Sequence, residues 1–243
     1  MKKTIYLTEG DIRKIVSEAL AAWMKPKQVK IDNFSLIASK MDDLTGTDEF
    51  YFVQVIKRKK DNPNANFNYA QYYGYWKVKN STELMKIKPQ AEQLSKQHNA
   101  RIYIRMNPRN EIKSNQHAQQ FIHTRKPTQL EMDIAFQKAA GWRFDSRRFT
   151  QDFPATMVDI DSTDTKIHND VLNDLKQNNI PIWFYYTTPN GGLHIMCKTR
   201  DVMNIDFSKY DNGQHLGRLA TVGADIDAAT LLYCDIVVVG YKK

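Results

Sequence analysis

Val158-Asp159-Ile160-Asp161 sets two carboxylates two residues apart inside an apolar run. In an extended strand successive side chains alternate faces, so Asp159 and Asp161 share one face while Val158 and Ile160 share the other. Carboxylates side by side repel unless something neutralises them. A divalent cation does so, and oxygen ligands suit Mg²⁺ or Mn²⁺. About one helix and one strand later comes Thr188-Pro189-Asn190-Gly191-Gly192-Leu193-His194. The glycine pair lets backbone come close to a ligand, as phosphate sites often require, and His194 follows directly. Carboxylates for a metal, beside glycines and a histidine for phosphate, point to nucleotidyl transfer.

The elements that must position these residues follow from periodicity. Ala155 to Asp161 reads as a strand. Ser162 or Thr163 caps a helix running to about Asn178, with Ile167, Val171, Leu172 and Leu175 on one face. Pro181 to Thr187 and Leu193 to Lys198 read as strands, a short helix falls within Asp206 to Leu219, and Thr230 to Val239 is a strongly apolar closing strand. The order strand, helix, strand, strand, helix, strand is the βαββαβ order of an RRM-like sheet. Upstream, Phe50 to Ile56 and Ala100 to Met106 read as strands, the second with its arginines on one face. Lys57 to Asn64 is a basic turn or loop, and an aromatic stretch surrounds Tyr72. Ser81 to Gln97 is helical, with Pro89 arguing for a break or a late start. Pro127-Thr128 opens a helix that ends at Gly141. At the start, Thr8 caps an amphipathic helix, with Asp11 standing in for the usual Glu, Ile12, Ile15, Val16, Ala19, Leu20 and Trp23 at helical spacing, and Pro26 at the end. This helix either packs on the main body, the preferred reading, or docks another protein.

Composition bounds the rest. The 243 residues are 42% hydrophobic and 26% charged, enough for one large or two small globular domains. No apolar run is long enough to span a bilayer, and the basic start lacks an apolar signal core, so a cytoplasmic location without a membrane partner is expected. Cys197 and Cys234 lie in apolar strands without CxxC spacing, which argues for buried thiols and against a Cys-rich zinc site. The Walker A pattern is absent, which excludes a fused helicase-type ATPase. The net charge of +8 favours a polyanionic partner. Basic residues alternate with aromatic ones at Trp142-Arg143-Phe144 and Arg147-Arg148-Phe149, a pattern that suits stacking and phosphate contact on a single strand, or an ordinary amphipathic hairpin.

These residues resemble the archaeo-eukaryotic primase superfamily, including its small phage and plasmid primase-polymerases. Val158-Asp159-Ile160-Asp161 matches the family's hDhD motif. Gly192-Leu193-His194 matches its sxH motif, with glycine where serine is common. Ala224-Asp225 and Ile226-Asp227 both fit the later hD motif, and Asp235 is a weaker option. The strand that runs into Asn107-Pro108-Arg109 is similar to a segment of the family's N-terminal module. The likeness covers roughly Asp48 to the C-terminus. It implies an α+β fold in which an RRM-like catalytic sheet (151–243) packs against an N-terminal α/β module (27–150), behind the first helix (1–26). It implies Asp159, Asp161 and a third carboxylate, Asp225 or Asp227, holding two divalent ions, with Asp227 and His194 in the catalytic set. It further implies His194, Gly191, Gly192, Lys198, Arg105 and Arg109 around an incoming nucleoside triphosphate, and Arg143, Arg147 and Arg148 on a single-stranded template.

The function so implied is a template-directed nucleotidyltransferase. A phage or mobile-element origin, and hence a bacterial host cytoplasm, goes with the compact length. Two other readings use the same residues: a two-metal nuclease or end-processing enzyme, and a nucleic-acid-binding protein on a non-catalytic scaffold. Residue by residue, plainer roles stay open. Asp159 can end a strand and Asp161 cap a helix without metal, His194 can be structural, and Arg101 and Arg105 can form a solvated strand face. The tyrosines near Tyr72 fit a core better than a stacking platform.

Overall fold

A computed structural model describes residues 8–23, 27–123, 126–141, 155–210 and 221–238. The helices are α1 (Glu9–Trp23), α2 (Phe34–Ala38), α3 (Ser81–His98), α4 (Glu111–Gln119), α5 (Gln129–Gly141) and α6 (Thr165–Gln177). The strands are β1 (Lys27–Asp32), β2 (Glu49–Lys57), β3 (Gln71–Val78), β4 (Arg101–Asn110), β5 (Thr156–Ile160), β6 (Ile182–Thr187), β7 (Leu193–Cys197), β8 (Val222–Ile226) and β9 (Ala229–Val238). They form two antiparallel sheets, one of order β1-β9-β4-β2-β3 and one of order β6-β7-β5-β8. The fold is mixed α+β. No helix among the described residues is long and apolar enough to cross a membrane.

The second sheet is built as the alternation in β5 requires. Val158 and Ile160 are fully buried with Val171 and Leu175 of α6, Ile195 and Cys197. Met157 faces the other way, into a core shared with Phe184, Tyr186 and Met196 of the same sheet and Ile102, Ile104, Leu231 and Tyr233 of the first. The two sheets therefore bury one continuous apolar layer between them.

Several local expectations change. The closing strand β9 belongs to the first sheet, between β1 and β4, and the strand beside β5 at one edge of the second sheet is β8. Gly223 and Asp225 interrupt the apolar pattern of β8, so it lacks the run that marks a strand. Strand β1 and helices α2 and α4, short or polar, lack such a signal too, and the aromatic stretch around Tyr72 forms strand β3. Helix α3 passes through Pro89 without a break. The carbonyl that loses its donor belongs to Met85, which is exposed, so water can satisfy it. The cap of α6 is Asp164, which accepts the Lys166 N–H at 2.8 Å, and not Ser162 or Thr163. Within the span where a short helix was expected, residues 208–210 form a 3₁₀ turn and residues 211–220 lie outside the described set; another 3₁₀ turn, 201–204, precedes it. On α1 the expected cap forms, the Thr8 and Asp11 groups bonding reciprocally at 2.9 and 3.2 Å. Its Ile12, Ile15 and Val16 are about half exposed, so these three do not make the packing expected on the main body.

Between the sheets sits a polar junction. The Asn107 side chain donates to the Ala155 carbonyl at 2.9 Å and accepts the Ala155 N–H at 2.8 Å, imitating a strand pairing between β4 and the start of β5. Arg109 binds both carboxylate oxygens of Asp227, at 2.8 and 2.6 Å, and donates to the carbonyls of Ala140 and Asn107. Neither side chain of this pair is exposed. Asp227 sits at φ 73°, in the turn by which the chain leaves β8 and enters β9.

Candidate nucleotide-handling site

Antiparallel pairing sets four residues in one row across the second sheet. Tyr186 stands opposite His194, His194 opposite Asp159, and Asp159 opposite Gly223. Directly opposed residues project to the same face. Gly223 contributes no side chain, and a Cβ there would meet open space, so the row opens beside Asp159.

The row is linked chemically. His194 Nδ1 is 2.8 Å from the Tyr186 hydroxyl, which accepts the Leu231 N–H of β9 at 2.9 Å. His194 Nε2 lies 3.1 Å from Asp159 Oδ1. That approach is at hydrogen-bond distance but off line, so the buried Oδ1 has no well-directed donor. Burial would raise the Asp159 carboxyl, but His194, Lys60 and Arg58 outweigh it and hold the group below the usual carboxylate range. Burial keeps the Tyr186 phenol far above its usual range, so it stays a donor.

In sequence Arg58 and Lys60 belong to a basic turn and carry no mark of this site. The turn is pinned against the first sheet: Arg58 donates to the Tyr103 hydroxyl at 2.7 Å, and Asp61 pairs with buried Arg101 at 2.5 Å. Lys60 feels both Asp161 and Asp61. Crowding by protein, then Arg58 and Arg101, hold its ammonium below the usual lysine range. No local pattern could have shown this, because it depends on packing between distant segments. Tyr186 did carry a signal: a hairpin closing through residues 188–192 places residue 186 opposite residue 194.

The other expected site residues divide. Asp161 follows β5, donates its N–H to the Thr221 carbonyl at 2.9 Å and is exposed. Asp225 stands opposite Met157, one row from Asp159 on the same face. Asp227 is not with them: its carboxylate is committed to Arg109, so neither residue can serve as metal ligand or nucleotide contact in this arrangement. Arg105 donates to the Asp227 carbonyl, and Arg101 is buried on Asp61, so this is no solvated strand face. Asp235 accepts from Gln28 at 2.7 Å in the first sheet. Lys198 Nζ lies 4.3 Å over the Trp183 ring. The glycines serve the hairpin. Gly191 has φ 82°, and a Cβ on Gly192 would come within 2.3 Å of the Ile160 carbonyl oxygen. Arg143, Arg147 and Arg148 lie outside the described residues. Tyr69 is 85% exposed, so that part of the aromatic stretch is no core.

Among the described residues no three His, Cys, Asp or Glu side chains cluster closely enough to hold a metal by themselves. The unsatisfied Asp159 Oδ1 and exposed Asp161 are still a fitting donor set for Mg²⁺, which commonly takes one or two carboxylates and completes its shell with water and substrate phosphates. No family model matches the chain, and neither a curated protein nor a solved structure matches it at a significant level.

Proposed function

We propose that the chain is a template-directed nucleotidyltransferase, a primase-polymerase working on nucleoside triphosphates with Mg²⁺ or Mn²⁺. The observation that carries this reading is the Asp159–His194 pair: an acceptor without a well-directed donor beside an imidazole, its negative charge favoured by Arg58 and Lys60. A cation and a phosphate would complete that set. Asp159 and Asp161 would hold the ion, and His194, Arg58 and Lys60 would meet the triphosphate. The ion would supply charge stabilisation at the phosphoryl centre. Phosphoryl-type transfer needs mainly positioning and charge neutralisation, which carboxylates and cations on rigid strands provide. The strand order β8-β5-β7-β6 is that of an RRM-like sheet, which supports the same reading. With Asp227 committed to Arg109, Asp225, one row from Asp159 on the same face, is the remaining candidate for the third carboxylate of this reading.

The test is incorporation of labelled nucleotides on single-stranded DNA in Mn²⁺, with and without a primer. Asp159→Ala and Asp161→Ala should abolish incorporation while thermal unfolding stays cooperative. Full activity in either folded variant overturns the reading. Degradation of the template without any need for triphosphates would identify a nuclease instead.

A further inference from the structure

Tyr186 is 6% exposed and lies between the two sheets. Its hydroxyl has the Leu231 N–H on one side and His194 Nδ1 on the other. An amide N–H can only donate, so Leu231 occupies a lone pair of the phenol oxygen. The phenol proton is then left for Nδ1. Were Nδ1 protonated, two donors would converge on one oxygen and a buried O–H would lose this acceptor, an arrangement that folded proteins avoid.

We propose that Tyr186 is a positioning residue that fixes His194 as its Nε2–H tautomer, making His194 a donor to a phosphate oxygen and not a metal ligand or proton acceptor. The phosphate class rests on the nucleotidyltransferase reading above. Nε2 sits beside Asp159 Oδ1 but out of line with it, so its N–H is open to an oxygen arriving next to that carboxylate. Leu231 belongs to the first sheet and His194 to the second. The imidazole is therefore oriented by the packing of one sheet on the other, through a residue that touches no substrate.

The experiment uses the full chain labelled with ¹⁵N-histidine, at alkaline pH where imidazoles are neutral. Long-range ¹H–¹⁵N correlation separates the tautomers, and His194→Ala assigns the signal. Wild type should show the Nε2–H pattern. Tyr186→Phe should loosen it toward a mixture of tautomers and bind dATP with Mg²⁺ about tenfold more weakly, the worth of one hydrogen bond to a charged group, with affinity for single-stranded DNA unchanged. An Nδ1–H pattern or a mixture in wild type overturns the proposal, and this readout does not depend on Tyr186→Phe folding. An unaltered tautomer in folded Tyr186→Phe overturns it as well. If wild type shows Nε2–H but His194→Ala binds dATP as tightly as wild type, the nucleotide reading fails while the tautomer assignment stands.

Discussion

At the scale of single residues, Asp159 and Asp227 show how one residue type takes opposite roles. Asp159 is partly exposed and poorly satisfied, whereas Asp227 is sealed with both oxygens on Arg109. Removing one member of a fully buried pair strands the other charge, which typically costs about 3–5 kcal/mol. Arg109→Met should therefore lower stability by about that much in denaturant unfolding, and Arg109→Met with Asp227→Asn should recover part of the loss, since Asn is uncharged and tolerates the left-handed backbone at this position. A metal-ligating Asp227 would behave otherwise, its replacement removing activity with little effect on stability. The Asp159 carboxyl carries its own pH signature. Its folded pKa lies below the unfolded value of about 3.9. The stability linked to it is present in full above that unfolded value and is lost as pH falls through the lower folded one. Lys60→Met should raise the Asp159 pKa in a carboxyl NMR titration, because one of the charges holding it down is gone. Sequence alone singled out Asp159, Asp161 and His194 from alternation and spacing. It could not choose among Asp225, Asp227 and Asp235, because what separates them is the long-range partner of each.

At the scale of elements, the hairpin that carries His194 depends on backbone contact with β5. Gly192 lies where any side chain would strike the Ile160 carbonyl. Gly192→Ala should destabilise the protein by about 1–3 kcal/mol or more, lowering the melting temperature by roughly 2–4 °C per kcal/mol in a chain of this size. It should also weaken dATP binding, since His194 would be displaced from Asp159. The hairpin by itself is reason enough for the glycine pair: a glycine needed for close approach looks the same in sequence whether a ligand or a neighbouring strand approaches. The strongly periodic elements, β2, β5, β6, β7 and α6, were readable from local pattern. The elements without a readable local signal were β1, β3, β8, α2 and α4. All but β3 are short or polar; β3 is an aromatic stretch interrupted by Gly74, and its pairing with β2, like the other tertiary contacts, overrides weak local preference.

At the scale of the whole molecule, the division into modules 27–150 and 151–243 separates strands that the structure joins. β9 lies between β1 and β4, so the first sheet is completed from the far end of the sequence. A fragment of residues 27–150 should show no cooperative thermal unfolding by circular dichroism, because β1 would have no partner and β4 would expose an apolar edge. Adding a peptide of residues 221–243 should restore part of the transition. The closing strand was itself easy to see as a strand. Which sheet it joins was not, because βαββαβ order describes succession and leaves partnership undetermined. The same arrangement has a consequence for synthesis. Asn33 donates to the Leu231 carbonyl, 198 positions later in the chain. During translation β1, β2, β3 and β4 leave the ribosome long before the strand that unites β1 with the rest, so the nascent sheet must wait with an open seam. The histidine relay ends on that same late strand at Leu231, and so the site cannot be completed until that strand too has emerged.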